Sequence, residues 1–391
     1  MASRRQQALH HRLIHLAEVA MGEDESSRRG AAEVELVALV EQCLDRGADE
    51  PIYRAVSELE RQGRTSAADY LFAWAETATE VLSGQWLGSE GEAQRGTFNL
   101  FWLPLVLAQD RPLADAALRP SGVRRLLQSL RRHQLIGPRV GAWVWPRLWR
   151  LDELPGGLAE RRRWLHRLAA LAGAQAPDLP ELAGAPELPS ASEGLISLRF
   201  LALILAVRED DLDPGPLADD RFSDTAGEAS PQEWQAFDRW QQAVAGFLPG
   251  AISGVSLLWA AMPAPWDEAI LHGTELMNSV LLSHALLALG PEARPVAALA
   301  GYGQEPSEWR IGLRDVQGQY TWSSWFCLEE PRVEEDKIRS LLAAEGIPVA
   351  YTISAFGRDA RCPKCTGPQF PDPIGDPGTF LPCLCTEPAS P

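Results

Sequence analysis

Apolar residues recur every three or four positions over much of the chain from residue 32 to about residue 171. Residues 34–44 and 67–82 both show this spacing, which places their apolar side chains on one face of a helix. We therefore expect a mainly helical N-terminal region. Its expected parts are a short helix and linker over residues 1–31 and an α-helical domain over residues 32–246.

The longest candidate for an apolar segment covers residues 195–207. It carries Arg199 and falls short of the roughly 18 apolar residues that a transmembrane helix needs, so we interpret it as a buried helix. A linker rich in Pro, Ala and Glu precedes it at residues 174–193, and an acidic loop follows at residues 209–233.

The pattern changes after residue 250, where short apolar runs, some of them alternating with polar residues, are separated by Gly and Pro. A period of two is typical of strands and a period near 3.6 is typical of helices. The predicted elements are a strand at 252–261, a helix at 266–289, a strand at 296–302, a hairpin of 309–314 and 320–328, a helix at 333–344 and a strand at 348–356. This order predicts an α+β fold whose C-terminal domain, residues 250–356, is ferredoxin-like (split βαβ) with one extra edge strand.

The chain is strongly acidic, with 53 acidic and 36 basic residues and a formal net charge of −17. Binding to nucleic acid depends on Lys and Arg that replace phosphate counterions, so this balance disfavours a general nucleic-acid-binding protein. The N-terminus lacks the apolar segment and cleavage site of a signal peptide. We expect a cytoplasmic protein with no membrane partner.

A local exception to this acidity lies between residues 119 and 167, where twelve arginines are interleaved with four tryptophans. A helix predicted over residues 123–135 turns its leucines inward and gathers four arginines on its other side. These are Arg124, Arg125, Arg131 and Arg132. Exposed arginines beside aromatic rings bind phosphate, single-stranded nucleic acid or an acidic protein surface. The alternative is a solvated face whose arginines pair with the chain's own carboxylates, with the tryptophans in the core.

Four of the six cysteines lie in the last thirty residues, within a Cys-rich tail over residues 357–391. Cys362 and Cys365 form a Cys-x-x-Cys motif, and Cys383 and Cys385 follow it. A Cys-x-x-Cys turn presents two thiolates to one tetrahedral cation, and a second pair can complete a zinc site. Because four thiolates leave no open coordination position, the predicted role is a structural zinc knuckle. A redox Cys-x-x-Cys motif and unliganded thiols are the alternatives.

The motifs of common enzyme classes are missing from the sequence. It has no glycine-rich phosphate loop after a strand, no Gly-x-Ser-x-Gly elbow and no His-Glu-x-x-His motif. His272 lies near Glu268 and Glu275 on a predicted helix, and a histidine–carboxylate pair can act in acid–base catalysis. Since no nucleophile stands beside this pair, we assign no catalytic residue.

Three stretches of the C-terminal third resemble a known family. They are Gly301-Tyr302-Gly303, Trp309-Arg310-Ile311-Gly312, and Cys362-Pro363-Lys364-Cys365 followed by Phe370, Asp372-Pro373 and Gly375. Over residues 295–376 these motifs are similar to an uncharacterised proteobacterial family, a domain of unknown function. The resemblance implies no activity and no catalytic residue. Cys383 and Cys385 lie beyond the matching stretch, so a metal held by the first two cysteines alone would need other ligands.

The sequence leaves three functions open. The leading hypothesis is a non-enzymatic cytoplasmic interaction or adaptor protein with a protein partner and a structural zinc knuckle. The second is a nucleic-acid-associated protein that uses the Arg- and Trp-rich segment 119–167. The third is an enzyme whose site is not visible in the sequence.

Overall fold

The chain divides into two compact units. The first comprises Met1–Leu195 and Arg199–Ile270, and the second comprises Ile196–Leu198 and Leu271–Pro391. Both contain helices and a β-sheet, so the predicted α+β class is confirmed. The computed structural model describes residues 4–22, 26–87, 92–109, 118–173, 196–219, 221–222, 229–248, 255–302, 308–356, 361–365 and 368–383.

The first unit begins with four helices that pack on one another. They are α1 (Arg4–Met21), α2 (Ser26–Asp45), α3 (Glu50–Arg61) and α4 (Thr65–Glu80). Each contributes apolar side chains to one core that is closed to solvent, among them Leu13, Leu36, Ile52 and Leu71. The helical N-terminal region predicted from the apolar spacing is therefore confirmed over these residues. Helix α2 begins at Ser26, inside the stretch interpreted as a linker.

A five-stranded sheet follows in the same unit. Four of its strands lie within residues 32–246, so the prediction of an α-helical domain over that range is wrong beyond the first four helices. The strands are β1 (Val81–Leu87), β2 (Ala93–Gln109), β3 (Gly141–Trp149), β4 (Ile196–Arg208) and β5 (Val255–Ala260). The order is β1-β2-β4-β3, and β5 also pairs with β2. Strand β2 is long enough for two antiparallel partners in succession, because β1 pairs with its residues 93–99 and β5 with its residues 105–109.

Three further helices belong to this unit, namely α5 (Pro120–Arg132), α6 (Leu158–Gly173) and α7 (Pro231–Phe247). Leu126 and Leu130 of α5 and Trp240 of α7 share one buried cluster with residues of the sheet such as Leu105 and Leu203. The leucines that the sequence placed on the inner side of α5 therefore form part of the core.

Residues 195–207 were predicted to be a buried helix, and this prediction is wrong because they form strand β4. Residues 199–206 are buried without interruption. A strand covered on both faces shows no alternation of polar and apolar residues, so its apolar run looks like that of a buried helix. Among the helices of the described stretches, none has the length and apolarity needed to cross a bilayer.

The second unit is built on a four-stranded sheet. Helix α8 (Trp266–Leu289), which begins in the first unit, is followed by β6 (Val296–Tyr302), β7 (Glu308–Arg314), β8 (Tyr320–Phe326), α9 (Pro331–Ala344) and β9 (Val349–Phe356). The sheet order is β8-β7-β6-β9, with β9 parallel to β6 and the other pairs antiparallel. The predicted hairpin is confirmed as β7 and β8, in which Arg314 faces Tyr320 beside the turn.

The ferredoxin-like arrangement predicted for residues 250–356 is not confirmed. Strand β5, which was to open that domain, pairs with β2 in the sheet of the first unit. The apolar pattern of a short strand marks its buried residues but does not specify the edge with which it pairs, and this is why the sequence placed β5 in the wrong sheet.

Candidate metal centre

One face of the second sheet carries the helices, and the other carries the described residues of the Cys-rich tail. Side chains of β7 alternate between these faces. Trp309, Ile311 and Leu313 enter the core formed with α8 and α9. Arg310 and Arg314 project to the opposite face, where the chain segment 361–383 lies.

Two arginines of β7 hold this segment by its backbone and by a carboxylate. Arg310, which is 3% exposed, donates from Nη1 to the carbonyl oxygen of Gln369 at 3.1 Å. Arg314 donates from Nη1 to Oδ2 of Asp372 at 2.7 Å. On β9, the Tyr351 hydroxyl donates to the carbonyl oxygen of Asp372 at 2.8 Å. The segment is therefore attached to two strands of the sheet.

Packing supplements these polar contacts. The ring of Phe370 stacks on Trp322 of β8 with centroids 5.4 Å apart and planes 21° from parallel. Between the two arginines, Gly312 leaves room for the backbone of Pro371, because a Cβ at Gly312 would lie 1.7 Å from the Pro371 carbonyl oxygen. Such an approach is possible only at glycine.

The segment also folds on itself. Bridges join Arg361 to Pro368 and Pro371 to Phe380. The amide of Leu381 donates to the carbonyl oxygen of Phe370 at 2.9 Å. These contacts bring the end of the segment back towards its beginning.

As a result, three thiols converge. The Sγ atoms of Cys362, Cys365 and Cys383 all lie within 4.8 Å of one another. Those of Cys365 and Cys383 are 3.3 Å apart. Sulfur ligands of a tetrahedral zinc ion sit about 2.3 Å from the metal and hence about 3.8 Å from each other. The spacing of the three thiols therefore suits a single tetrahedral metal ion.

The three thiols differ in their access to solvent. Cys362 is 4% exposed, Cys383 is half-buried and Cys365 is exposed. None of them is joined to a described cysteine in a disulfide. Cys385, the fourth predicted ligand, lies outside the described residues. Three of the four predicted ligands are thus brought together.

The other two described cysteines lie away from this cluster. Cys43 belongs to the core of the first unit, and burial raises the pKa of its thiol. Cys327 follows β8, where burial, with smaller effects from Glu334 and Glu308, raises its pKa to about 12. Thiols that resist ionisation in this way are poor ligands and poor nucleophiles.

The predicted arginine face is present on α5. Arg124, Arg125, Arg131 and Arg132 are all exposed. Arg131 donates to the carbonyl oxygen of Val140 at 3.1 Å. Within the described residues, no carboxylate lies within ion-pair distance of Arg124, Arg125 or Arg132. Nearby, burial and then the charges of Arg239 and Arg132 lower the pKa of His133, as expected beside uncompensated positive charge.

The tryptophans of the same segment do not form a stacking surface around these arginines. Trp145 and Trp149 are buried, and Trp149 packs edge-on against Trp164 with centroids 4.7 Å apart. Trp164 in turn lies 6.0 Å from Trp102 of β2. Trp143 and Trp164 are half-buried, and the arginine that stacks on Trp149 is Arg147, whose Cζ lies 4.1 Å from the ring centroid. The α5 arginines lie at the surface, away from these ring contacts.

Of His272, Glu268 and Glu275 on α8, only Glu275 lines the groove beside that helix. Glu275 lines a groove of about 610 Å³ between α8 and α9, with Asn278 and Trp325 among its other walls. Among the described residues, neither His272 nor a cysteine lines this groove.

The first unit contains a cluster of carboxyl groups that the sequence did not predict. Burial and a hydrogen bond with Asp267 raise the pKa of Glu76. Burial raises the pKa of Glu80 to about 8, although the Trp266 amide, which donates to Glu80 Oε1 at 2.8 Å, lowers it. Arg161 pairs with Asp267 at 2.9 Å. The adjoining cavity measures about 10 Å³, about the size of one water molecule, so the cluster has no room for a substrate.

Comparison with known proteins gives one match. A family model described as a protein of unknown function (DUF2863) matches residues 1–263 of the 391-residue chain. The chain belongs to this family. No curated protein and no solved structure matches it.

The family match corrects the position of the predicted resemblance. An uncharacterised family was expected over the C-terminal third, whereas DUF2863 covers the N-terminal and middle regions. The match ends at residue 263, close to the end of the first unit at Ile270. The thiol cluster therefore lies outside the part of the chain that defines DUF2863 membership.

Proposed function

We propose that this DUF2863 protein is a non-enzymatic cytoplasmic interaction protein with a structural zinc knuckle in its second unit. Cys362, Cys365 and Cys383 provide three ligands, and Cys385 provides the fourth. The observation that carries this proposal is the convergence of three thiols within 4.8 Å on a segment that is held against the sheet.

The ligand set favours zinc in a structural role. Thiolates select soft or borderline metals such as zinc, and disfavour magnesium and calcium. Four protein ligands leave no position for a substrate or an activated water. A metal at this position would close the loop between Cys362 and Cys383, and so stabilise the contacts that the segment makes with Arg310 and Arg314. The metal would thus hold the segment in place and would not take part in a reaction.

The proposed compartment follows from the same thiols. A metal site of this kind needs its cysteines reduced, and the cytoplasm keeps thiols reduced. In this account the zinc knuckle stabilises the second unit, while a protein partner binds elsewhere. The exposed arginines of α5 supply a surface for an acidic partner.

Metal analysis of the purified full-length chain tests the proposal. Protein prepared under reducing conditions is expected to contain close to one zinc ion per chain by inductively coupled plasma mass spectrometry. Cys362→Ser, Cys383→Ser and Cys385→Ser should each lose most of it. Cys327→Ser is the matched control, because it removes a thiol of the same unit outside the cluster, and it should retain the metal.

Two results would count against the proposal. If the wild-type protein contained no metal, the proposed zinc knuckle would be wrong. Loss of metal in Cys362→Ser but full retention in both Cys383→Ser and Cys385→Ser would show that the second pair takes no part, and that other ligands complete the site.

A second candidate function is association with nucleic acid through the arginine face of α5. It is favoured by the exposure of these four arginines and by the lack of described carboxylates paired with three of them. The net charge of −17 opposes it, and the buried positions of Trp145 and Trp149 remove them as platforms for base stacking. Binding of this kind would therefore be limited to phosphate contacts.

Charge reversal distinguishes this second candidate. Arg124→Glu with Arg131→Glu should abolish binding of a fluorescent oligonucleotide, and wild-type binding should weaken steeply as salt rises. Arg163→Glu with Arg167→Glu makes the same charge change at exposed positions of α6 and serves as the control. An equal loss of oligonucleotide binding in both double variants, or binding that does not depend on salt concentration, would contradict a nucleic-acid role for α5.

A further inference from the structure

The outer side of the thiol cluster is open to small reagents. Cys365 is exposed and Cys383 is half-buried, and their Sγ atoms are 3.3 Å apart. Cys362 is only 4% exposed. Two neighbouring thiols, one of them accessible, form the arrangement in which oxidation of the first is followed by attack of the second.

We propose that Cys365 and Cys383 form a reversible oxidation site at which a peroxide converts the two thiolates to a disulfide and releases the metal. This inference rests on the proposed function, since it assigns a chemical reaction to the same metal centre. Cys362 stays out of the reaction because only 4% of its surface is exposed to the peroxide.

The reaction balances in two steps. The Cys365 thiolate attacks one oxygen of hydrogen peroxide, so that an S–O bond forms, the O–O bond breaks and hydroxide leaves. The Cys383 thiolate then attacks the sulfenic sulfur of Cys365, so that the S–S bond forms and the S–O bond breaks, with a second hydroxide leaving. Two thiolates lose two electrons to one peroxide, and the metal dissociates as a divalent cation after losing two of its ligands.

Contacts outside the thiol cluster make the reaction reversible. Arg314 holds Asp372, Arg310 holds the carbonyl oxygen of Gln369, and Phe370 stacks on Trp322. None of these contacts involves sulfur, so they continue to hold the segment to the sheet after the metal leaves, although the segment then opens more often. Reduction by a dithiol then restores both thiolates close together, ready to bind the metal again.

The sequence allows a simple chemical test of which cysteines react. Trypsin cleaves after Arg361 and Lys364 and finds no Lys or Arg beyond them. Residues 362–364 and 365–391 are therefore separate peptides. A disulfide between Cys365 and Cys383 lies within the second peptide, whereas a disulfide that includes Cys362 joins the two peptides.

The experiment treats the metal-loaded full-length chain with hydrogen peroxide and follows released zinc with a chromogenic indicator. We expect release of about one zinc ion per chain, with peptide 365–391 lighter by two hydrogen atoms and peptide 362–364 unlinked. The variants Cys383→Ser and Cys385→Ser are expected to bind little metal, so for them only the peptide masses are compared. Peptide 365–391 should keep its full mass in Cys383→Ser and should still lose two hydrogen atoms in Cys385→Ser. Cys327→Ser should behave as wild type, and a dithiol with added zinc should reverse both changes.

The outcomes separate the two proposals. A cross-link between peptides 362–364 and 365–391, or mass loss that persists in Cys383→Ser, would overturn the assignment of the reacting pair. Protein that holds zinc and keeps it under peroxide would overturn the inference while leaving the zinc knuckle intact. Protein that contains no metal as purified would overturn the proposed function itself, and with it the metal release.

Discussion

Gly312 shows how a single position determines whether the Cys-rich segment can lie on its sheet. The carbonyl oxygen of Pro371 occupies the place of a side chain at Gly312, since a Cβ there would be 1.7 Å away. The neighbouring positions on the same face are Arg310 and Arg314, which bind the segment on either side. The segment therefore lies on a surface made of a glycine, which leaves room for its backbone, and two arginine guanidinium groups, which bind it.

Gly312→Ala is therefore expected to displace the segment. Backbone must move to admit the methyl group, which we expect to cost about 1–3 kcal/mol in the free energy of unfolding of the second unit. Zinc should also dissociate faster. Denaturant unfolding and the rate of zinc transfer to a chelator measure the two effects.

The control for this change is Gly246→Ala, because a Cβ at Gly246 meets no atom within 4 Å. That substitution in α7 should leave stability unchanged or raise it slightly. A Gly312→Ala protein that unfolds and releases zinc as wild type does would show that the segment does not pack on the sheet as described.

The carboxyl cluster in the first unit predicts an unusual dependence of stability on pH. Burial raises the pKa of Glu80 to about 8 and also raises that of Glu76, from an ordinary value of 4.5. The folded chain therefore keeps protons that the unfolded chain has already released. Stability should fall as the pH rises from about 4.5 through about 8, because the unfolded state binds fewer protons in that window.

Glu76→Gln should remove part of this dependence. The variant carries no ionisable group at that position, so it is expected to be more stable than wild type by about 1 kcal/mol or more at pH 9 and to differ little at pH 5. Thermal unfolding at both pH values measures the difference. Glu60→Gln, which neutralises an exposed carboxylate on α3, should show no comparable gain, and equal gains in both variants would contradict the assignment.

At the scale of elements, the sequence predicts best where polar and apolar residues alternate beside a recognisable turn. The hairpin of β7 and β8 has such a pattern, and Asp315 Oδ1 accepts hydrogen bonds from the amides of Gln317 and Gln319 in its turn. Strand β4 was mistaken for a helix because burial on both faces removes the alternation. Strand β5 was recognised as a strand, but its partner β2 lies about 150 residues earlier in the chain and local pattern does not specify it.

The candidate site likewise contains some residues that the sequence predicts and others that it does not. Cys362 and Cys365 were predictable because a Cys-x-x-Cys turn is a local motif. Arg310 and Gly312 belong to a motif that resembles a known family, but their contacts with the segment depend on a chain reversal that no local pattern encodes. Glu76, Glu80 and Asp267 were missed because helix α4 and the start of α8 meet only in the folded chain.

At the scale of the whole molecule, the two units carry different features. The DUF2863 match covers most of the first unit, and the thiol cluster belongs to the second. Core residues of α1 to α4 form one cluster, and those of α8, α9 and the second sheet form another. Loss of metal should therefore lower the local stability of the second unit and leave that of the first unit unchanged.

Hydrogen–deuterium exchange can locate that effect. Removal of zinc by a chelator should speed amide exchange in residues 361–383 and, to a smaller degree, in β7, because the segment then opens more often. Peptides from α1 to α4 should exchange at the same rate with and without metal. Uniform acceleration along the chain, or none in residues 361–383, would contradict a local role for the metal.

The central claim is that the thiols of the C-terminal segment bind a metal ion directly. X-ray absorption at the zinc edge of the purified full-length protein tests it most directly. The account predicts three or four sulfur neighbours at about 2.3 Å, with loss of sulfur neighbours in Cys362→Ser. A shell made only of nitrogen or oxygen at about 2.0 Å, or no zinc at all, would contradict it.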